Sequence, residues 1–207
     1  MKKISIILGT VITLAVTGVI ACNSGKTAST NNEGEVNVKG ISENESSENA
    51  VRRGQYLVTI MGCNDCHSPK IMTPHGPDID STRMLSGHPA SVPVPKINAG
   101  ELQNWVLFSH NLTTFVGPWG VSFAANLTSD ATGIGNWTEG QFLNAIRHGK
   151  YKGLENSRDL LPPMPWVMYK NATDEDLKAI FAYLKSTPPV QNRVPGPIAP
   201  DQLAKHN

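Results

Sequence analysis

Cys63-Asn64-Asp65-Cys66-His67 puts two thiols at i and i+3, with a histidine directly after the second. This spacing matches the attachment site of a c-type haem, in which each thiol adds across one porphyrin vinyl group. One helical turn separates the two sulfurs, and His67 is carried beneath the iron as an axial ligand. Two other chemistries use a CxxC pair. A redox dithiol is expected at a βαβ turn, and no such pattern surrounds Cys63. A closed zinc site needs four ligands, and the one other cysteine, Cys22, sits far away beside an apolar amino-terminal run.

His67 fills one axial position of the iron. A thioether on the opposite side favours reduced iron and raises the potential. The chain has six methionines. Met1 leaves with the amino-terminal signal described below, and Met61 reads as core of the first helix. Met72, Met84, Met164 and Met168 remain. Met164 is the best placed, because Leu160-Leu161-Pro162-Pro163-Met164-Pro165-Trp166 sets it between prolines. Prolines fix φ and forbid helix, so the sulfur is presented from a stiff, extended loop. Met168 is the runner-up, and a purely hydrophobic role is the alternative for Met164. His75, His88, His110 and His148 are possible nitrogen ligands, but each alone reads as a solvated or capping residue.

Residues 1–21 have the layout of a secretory signal: Lys2 and Lys3, then an apolar run from Ile4 to Ile20. Val19-Ile20-Ala21-Cys22 resembles a bacterial lipobox, although Ile20 is bulkier than the usual occupant. The resemblance implies cleavage before Cys22 and lipid on its sulfur and amine. A plain secretory signal and an uncleaved membrane anchor are the alternatives. All three put the body outside the cytoplasm, where c-type haem is attached. The expected location is the periplasm or the cell surface of a bacterium, held to a membrane by lipid. With Cys22 lipidated and Cys63 and Cys66 on haem, no cysteine pair is left for a disulfide.

Residues 22–49 are rich in Asn, Ser, Glu and Gly and poor in aliphatic side chains. They bury too little to fold alone and read as a flexible tether. The formal net charge of the chain is +1, and nothing in its distribution indicates nucleic acid.

Residues 50–190 have the length of a single domain. Three helices are expected. The first covers Ala50 to Met61 and is stopped by Gly62. The second covers Glu139 to His148, with Thr138 and Gln141 as a capping box and Phe142, Ala145 and Ile146 facing inward. The third covers Asp174 to Ser186, capped by Thr173, with Leu177, Ile180, Phe181 and Leu184 on one face. A weaker helical pattern spans Glu101 to Ser109, with Leu102, Trp105 and Val106 inward. Pro69 to Pro95 reads as turns and loop. Residues 191–207, with Pro195, Pro197 and Pro200, read as an extended tail over the surface.

In this order (helix, CxxCH, methionine loop, helix) the chain resembles the class I cytochrome c family. It is similar in particular to single-haem cytochromes and to haem modules of bacterial dehydrogenase cytochrome c subunits. Ala125-Asn126-Leu127-Thr128, Thr132-Gly133-Ile134-Gly135-Asn136-Trp137 and Met164-Pro165-Trp166 with Tyr169 carry that likeness. The resemblance implies an all-α, cytochrome c-like fold of short helices around one covalent haem c. It implies that the first and last helices cross near Gly54 and Tyr183, and that Met164 is the distal ligand. It also implies that the loop around Asn126 and Trp137 lines the haem edge, with Trp137 donating to a propionate. An ordinary core position is the alternative for Trp137. Ser68 to Ala125 departs from the small members of the family as an enlarged, insertion-like region, either covering the haem or docking a partner.

The function that follows is electron transfer without catalysis, between a periplasmic dehydrogenase and a terminal acceptor. Two other readings are a haem enzyme and a small-gas or redox sensor with an open or displaceable sixth position. With one CxxCH motif, the chain cannot relay electrons along its own length.

Overall fold

The structure, a computed structural model, describes residues 38–98 and 100–205, with side chains described from 45 to 203 apart from 99. The signal sequence, Cys22 and the tether up to residue 37 lie outside the described residues. No helix among those described is long and apolar enough to cross a membrane.

Two of the expected helices form where their caps stand. Helix α3, Glu139–His148, starts at Thr138 with both capping-box bonds made, and buries Phe142, Ala145 and Ile146. Helix α5, Asp174–Ser186, starts at Thr173, whose hydroxyl accepts from the Asp176 amide, and buries Leu177, Ala179, Ile180 and Leu184. Helix α1 spans Val38–Ile60, longer than expected at its amino end. Residues 38–49, read as part of the tether, are helical in backbone, and Glu45 to Asn49 are exposed. Burial therefore does not explain the helical turn over Glu45 to Asn49. Once the packed segment from Ala50 has nucleated the helix, each further residue adds a hydrogen bond at little cost. Gly62 ends α1 in the left-handed region, at φ 69°, and begins α2, Cys63–His67.

Helices α1, α3 and α5 enclose the main core of Leu57, Val58, Leu85, Ile134, Phe142, Ile146, Leu177, Ile180 and Leu184. Helices α1 and α5 cross at Gly54. A Cβ there would come within 1.9 Å of the Ala179 carbonyl oxygen and 2.7 Å of the Tyr183 Cβ. The backbones approach this closely because position 54 has no side chain, as the family likeness implied.

The all-α expectation is incomplete, because two small antiparallel sheets lie in the 68–125 region. Strands β1 (Lys70–Thr73) and β2 (Gly76–Ile79) form a hairpin in what was read as loop. Strands β3 (Leu107–Phe108), β4 (Thr114–Gly117) and β5 (Gly120–Phe123) form a three-stranded sheet. The helix expected over 101–109 is absent. Glu101–Gln103 makes a single 3-10 turn, and Leu107 and Phe108 pair with Val116 and Phe115. Trp105 and Val106, expected inward, are exposed at 68% and 47%. The edge-to-face contact of Phe108 and Phe115, centroids 5.1 Å apart, is a cross-strand pair that favours sheet over helix.

The carboxy-terminal segment is structural as well as extended. Ile198 and Val121 exchange backbone hydrogen bonds of 2.8 and 3.0 Å. Pro200–Lys205 forms a 3-10 helix. Leu203 joins Ile97, Val116 and Val121 in a second core beneath the sheet.

Candidate haem site

The left-handed turn at Gly62 redirects the chain so that the CxxCH motif forms its own short helix across the end of α1. Lys70 closes that helix. Its ammonium donates to the carbonyls of Asn64, Asp65 and Ser68 at 3.1, 3.0 and 2.6 Å, at the helix end where carbonyls run short of amide donors; the Asn64 carbonyl also accepts from the Ser68 amide at 3.2 Å. Sequence reasoning missed Lys70, although a lysine just past a helix end is a known capping signal. Ser68 is fully buried. Its hydroxyl donates to the Asn64 side chain at 2.8 Å and accepts from the Leu85 amide at 2.8 Å.

Cys63 and Cys66 are unpaired and half-buried, and Cys63 packs against the main core. Desolvation by burial pushes the Cys63 thiol up to about 11 and raises Cys66 as well. Such thiols stay protonated at neutral pH, which suits neither a reactive dithiol nor a thiolate ligand. A thioether carries no charge and meets no such penalty. Among the described residues no group of three or more His, Cys, Asp and Glu is placed to hold a metal ion by itself.

His67 is fixed from two sides. Its backbone carbonyl accepts from the Gly87 amide at 2.7 Å. Its ring Nδ1 lies 2.8 Å from the Ala125 carbonyl oxygen. A carbonyl only accepts, so Nδ1 carries the proton and Nε2 holds a free lone pair. Burial holds its pKa below the usual histidine range, which keeps the ring neutral. A neutral imidazole with a backbone-anchored Nδ1–H is the arrangement that orients a ring for a metal at Nε2.

Met164 is half-buried and packs on the same core as Cys63. Of the other candidates, Met72 and Met168 are largely exposed, at 76% and 68%, and Met84 is exposed as well. The loop carrying Met164 is tied at both ends. At its start, the Leu160 amide donates to the Gly149 carbonyl at 2.6 Å, just past α3. At its end, helix α4 (Trp166–Tyr169) brings the Tyr169 hydroxyl to the Met61 carbonyl, 2.6 Å away and two residues before Cys63. The exit of the methionine loop and the entry to the CxxCH helix are thus joined directly.

Asn126 is buried, and its side chain is taken up by the protein. Its amide nitrogen donates to Thr132 Oγ1 at 3.2 Å and to the Val190 and Asn192 carbonyls at 2.8 and 3.3 Å, while Oδ1 accepts from the Thr128 amide and hydroxyl at 2.9 and 2.8 Å. It holds the loop whose preceding residue, Ala125, anchors His67. Trp137 is half-buried against the main core, with no side-chain hydrogen bond among the described residues. His75, His110 and His148 are exposed. His88 is a satisfied core histidine, 1% exposed, with Nδ1 3.0 Å from the hydroxyls of Thr113 and Thr114 and Nε2 3.1 Å from the Val92 carbonyl.

Two thiols one turn apart, an imidazole with Nε2 free, and a thioether on the same core together fit a covalently attached haem. Comparison with known proteins agrees. The chain is similar to cytochrome c subunits of bacterial dehydrogenases. It is 28% identical to the gluconate 2-dehydrogenase cytochrome c subunit of Pantoea cypripedii over 151 residues, covering 72% of this chain and 26% of that one. It is 35% identical to the fructose dehydrogenase cytochrome subunit of Gluconobacter japonicus over 136 residues, covering 65% and 21% respectively. The cytochrome c subunit of the quinone alcohol dehydrogenase of Gluconobacter oxydans (strain 621H) matches at 26% over 155 residues, covering 73% and 25%. The chain thus spans about a quarter of the length of these relatives. No family model matches it.

Proposed function

We propose that this chain is an electron-transfer cytochrome of cytochrome c-like fold, and not an enzyme. It carries one haem c bound through thioethers to Cys63 and Cys66. The observation that carries the reading is the His67 ring, pinned through Nδ1 to the Ala125 carbonyl, with no partner for Nε2 among the described residues. His67 is the proximal ligand and Met164 the distal one. When bound, the haem supplies an iron that changes oxidation state by one electron. His67 and Met164 would hold that iron between them, which would leave no position for substrate and would limit rearrangement between the two states. The Ala125 hydrogen bond keeps the imidazole oriented and raises its basicity. Trp137, whose indole N–H has no partner among the described residues, would donate to a propionate, and the loop folded by Asn126 would line the haem edge.

The donor in this reading is a dehydrogenase outside the cytoplasm and the acceptor is a terminal one. Residues 1–21 direct export, lipid on Cys22 attaches the chain to a membrane, and the segment after it is a tether. Burial of apolar surface by the acyl chains supplies the anchoring.

Absorption spectra of both redox states, with and without carbon monoxide, test the ligation. The expected result is a six-coordinate spectrum that carbon monoxide does not change, with pigment that stays on the chain in acidified acetone. Met164→Ala should abolish the weak near-infrared sulfur-to-iron band of the oxidised protein and lower the midpoint potential. An unchanged band would move the assignment to Met168 or another ligand. Rapid carbon monoxide binding by the parent would favour the enzyme or sensor reading.

A further inference from the structure

The stretch that carries Met164 is hard to hold in place. Pro162, Pro163 and Pro165 have no amide hydrogen, so this part of the chain can be gripped mainly through its carbonyls. The Pro162 carbonyl, two residues before Met164, accepts a hydrogen bond of 2.6 Å from the Ser122 hydroxyl. Ser122 lies on β5 and is 7% exposed. Its oxygen accepts in turn from the Trp119 indole N–H at 3.1 Å, which leaves its own proton free to point at Pro162.

Trp119 sits in the turn between β4 and β5, where Gly117 pairs with Gly120. The strand that presents Ser122 is itself pinned, because the preceding residue, Val121, is fully buried and bridged to Ile198 of the carboxy-terminal segment. Among the described residues, the two end ties of the loop come from Met61, just past α1, and from Gly149, just past α3. The tie nearest Met164 comes from the enlarged 68–125 region.

We propose that Ser122, held by Trp119, is a positioning residue for the Met164 sulfur, and that bracing the methionine loop is what the enlarged region does for the haem site. This rests on the reading of Met164 as distal ligand. A brace of this kind sets how readily the sulfur leaves the iron, and that can be measured separately from stability.

The test uses the full, haem-loaded chain. The near-infrared band is followed against pH in the oxidised state, and carbon monoxide binding is followed in the reduced state. Ser122→Ala should retain haem and the band at neutral pH. Loss of one neutral hydrogen bond should increase the fraction with displaced sulfur about two- to tenfold, moving the pH of band loss down by up to about one unit. On prolonged exposure, the slow carbon monoxide binding that leaves the parent's ordinary spectra unchanged should be faster by a similar factor. Ser122→Thr, which keeps the hydroxyl, should behave as the parent. Trp119→Phe, which removes the N–H aimed at Ser122 together with part of the ring, should shift both readouts in the same direction by less.

Parent-like band loss and carbon monoxide kinetics in Ser122→Ala would overturn the proposal. If Ser122→Ala does not mature, Trp119→Phe decides, and parent-like behaviour there overturns the brace. A parent without the band, or a Met164→Ala variant that keeps it, would instead overturn the ligand assignment and take the brace down with it.

Discussion

The helical core and the 68–125 region with its carboxy-terminal strap are held together by different forces. Around α1, α3 and α5, nine buried apolar side chains pack on one another, one of them, Leu85, contributed by the 68–125 region, and the helices satisfy their own backbones. The other region has a core of four buried apolar residues, Ile97, Val116, Val121 and Leu203. Its interior also holds His88, Asn192, Thr113 and Thr114. These bond across long sequence separations, as when Asn192 Nδ2 donates to the carbonyls of Ser86 and His88 at 2.7 and 2.8 Å. Non-directional burial tolerates imprecision, whereas an unmade buried hydrogen bond is costly. The helical core therefore fixes the CxxCH helix through bulk packing. The second region fixes loops one carbonyl at a time, including the loops that back His67 and Met164.

The largest effect should come from the point where the helical core has no slack. Gly54→Ala puts a methyl 1.9 Å from the Ala179 carbonyl oxygen, which belongs to rigid helix backbone and cannot swing aside. Helices α1 and α5 must separate, at a cost of about 3 kcal/mol or more. Denaturant unfolding of the haem-loaded protein measures this, and a loss below about 1 kcal/mol would mean that the crossing is more pliant than its geometry implies.

What could be read from the chain divides along the same line. Helices α3 and α5 announce themselves locally, because Thr138, Gln141 and Thr173 cap them and the apolar residues recur at helical spacing. Gly62 ends α1 as its position suggested. The crossing at Gly54 came from family likeness, since nothing in its neighbours names Ala179 as the partner. The second region has no such local signals. Leu102, Trp105 and Val106 mimic a helical stripe, but the neighbouring Leu107 and Phe108 find strand partners in Val116 and Phe115 across a turn. Asn192 is buried on carbonyls about a hundred residues away, and the His88 ring on hydroxyls of a different segment, Thr113 and Thr114, neither of which spacing can reveal. The Ser122 to Pro162 bond is hidden for the same reason. The CxxCH motif and the prolines around Met164 stand out because their chemistry is written in consecutive residues.

A smaller but distinctive effect is expected at Asn192. Its side chain serves three backbone groups, donating to Ser86 and His88 and accepting from the Ala90 amide at 3.0 Å. Asn192→Ala removes all three bonds and leaves buried carbonyls without donors, a loss of about 2–3 kcal/mol. The damage should concentrate in the second region. Hydrogen exchange should speed up for the Val121 and Ala124 amides, while those of α5 change little. Equal acceleration in both regions would show that the two cores unfold as one unit, and would erase the contrast drawn above.

The smallest effect separates the regions by pH. In the folded protein His88 is neutral, with Nε2–H donating to the Val92 carbonyl and Nδ1 accepting from Thr113 and Thr114. Its ring also lies against Phe123, centroids 4.9 Å apart. Desolvation by burial lowers its pKa from the ordinary value, and the Val92 bond only partly offsets this. Below about pH 6.5 the unfolded chain therefore takes up a proton at this residue more readily than the folded one, so stability must fall as pH falls. The contribution is fully present above the unfolded pKa and is lost on the acid side, down to the depressed folded value. In His88→Gln, a neutral side chain that does not titrate, stability should be lower at pH 7.5 and should decline less between pH 7 and 5 than in the parent. Parallel curves for the two proteins would mean that His88 becomes charged without leaving its site, and that this polar interior tolerates a cation which its neutral neighbours give no means of balancing.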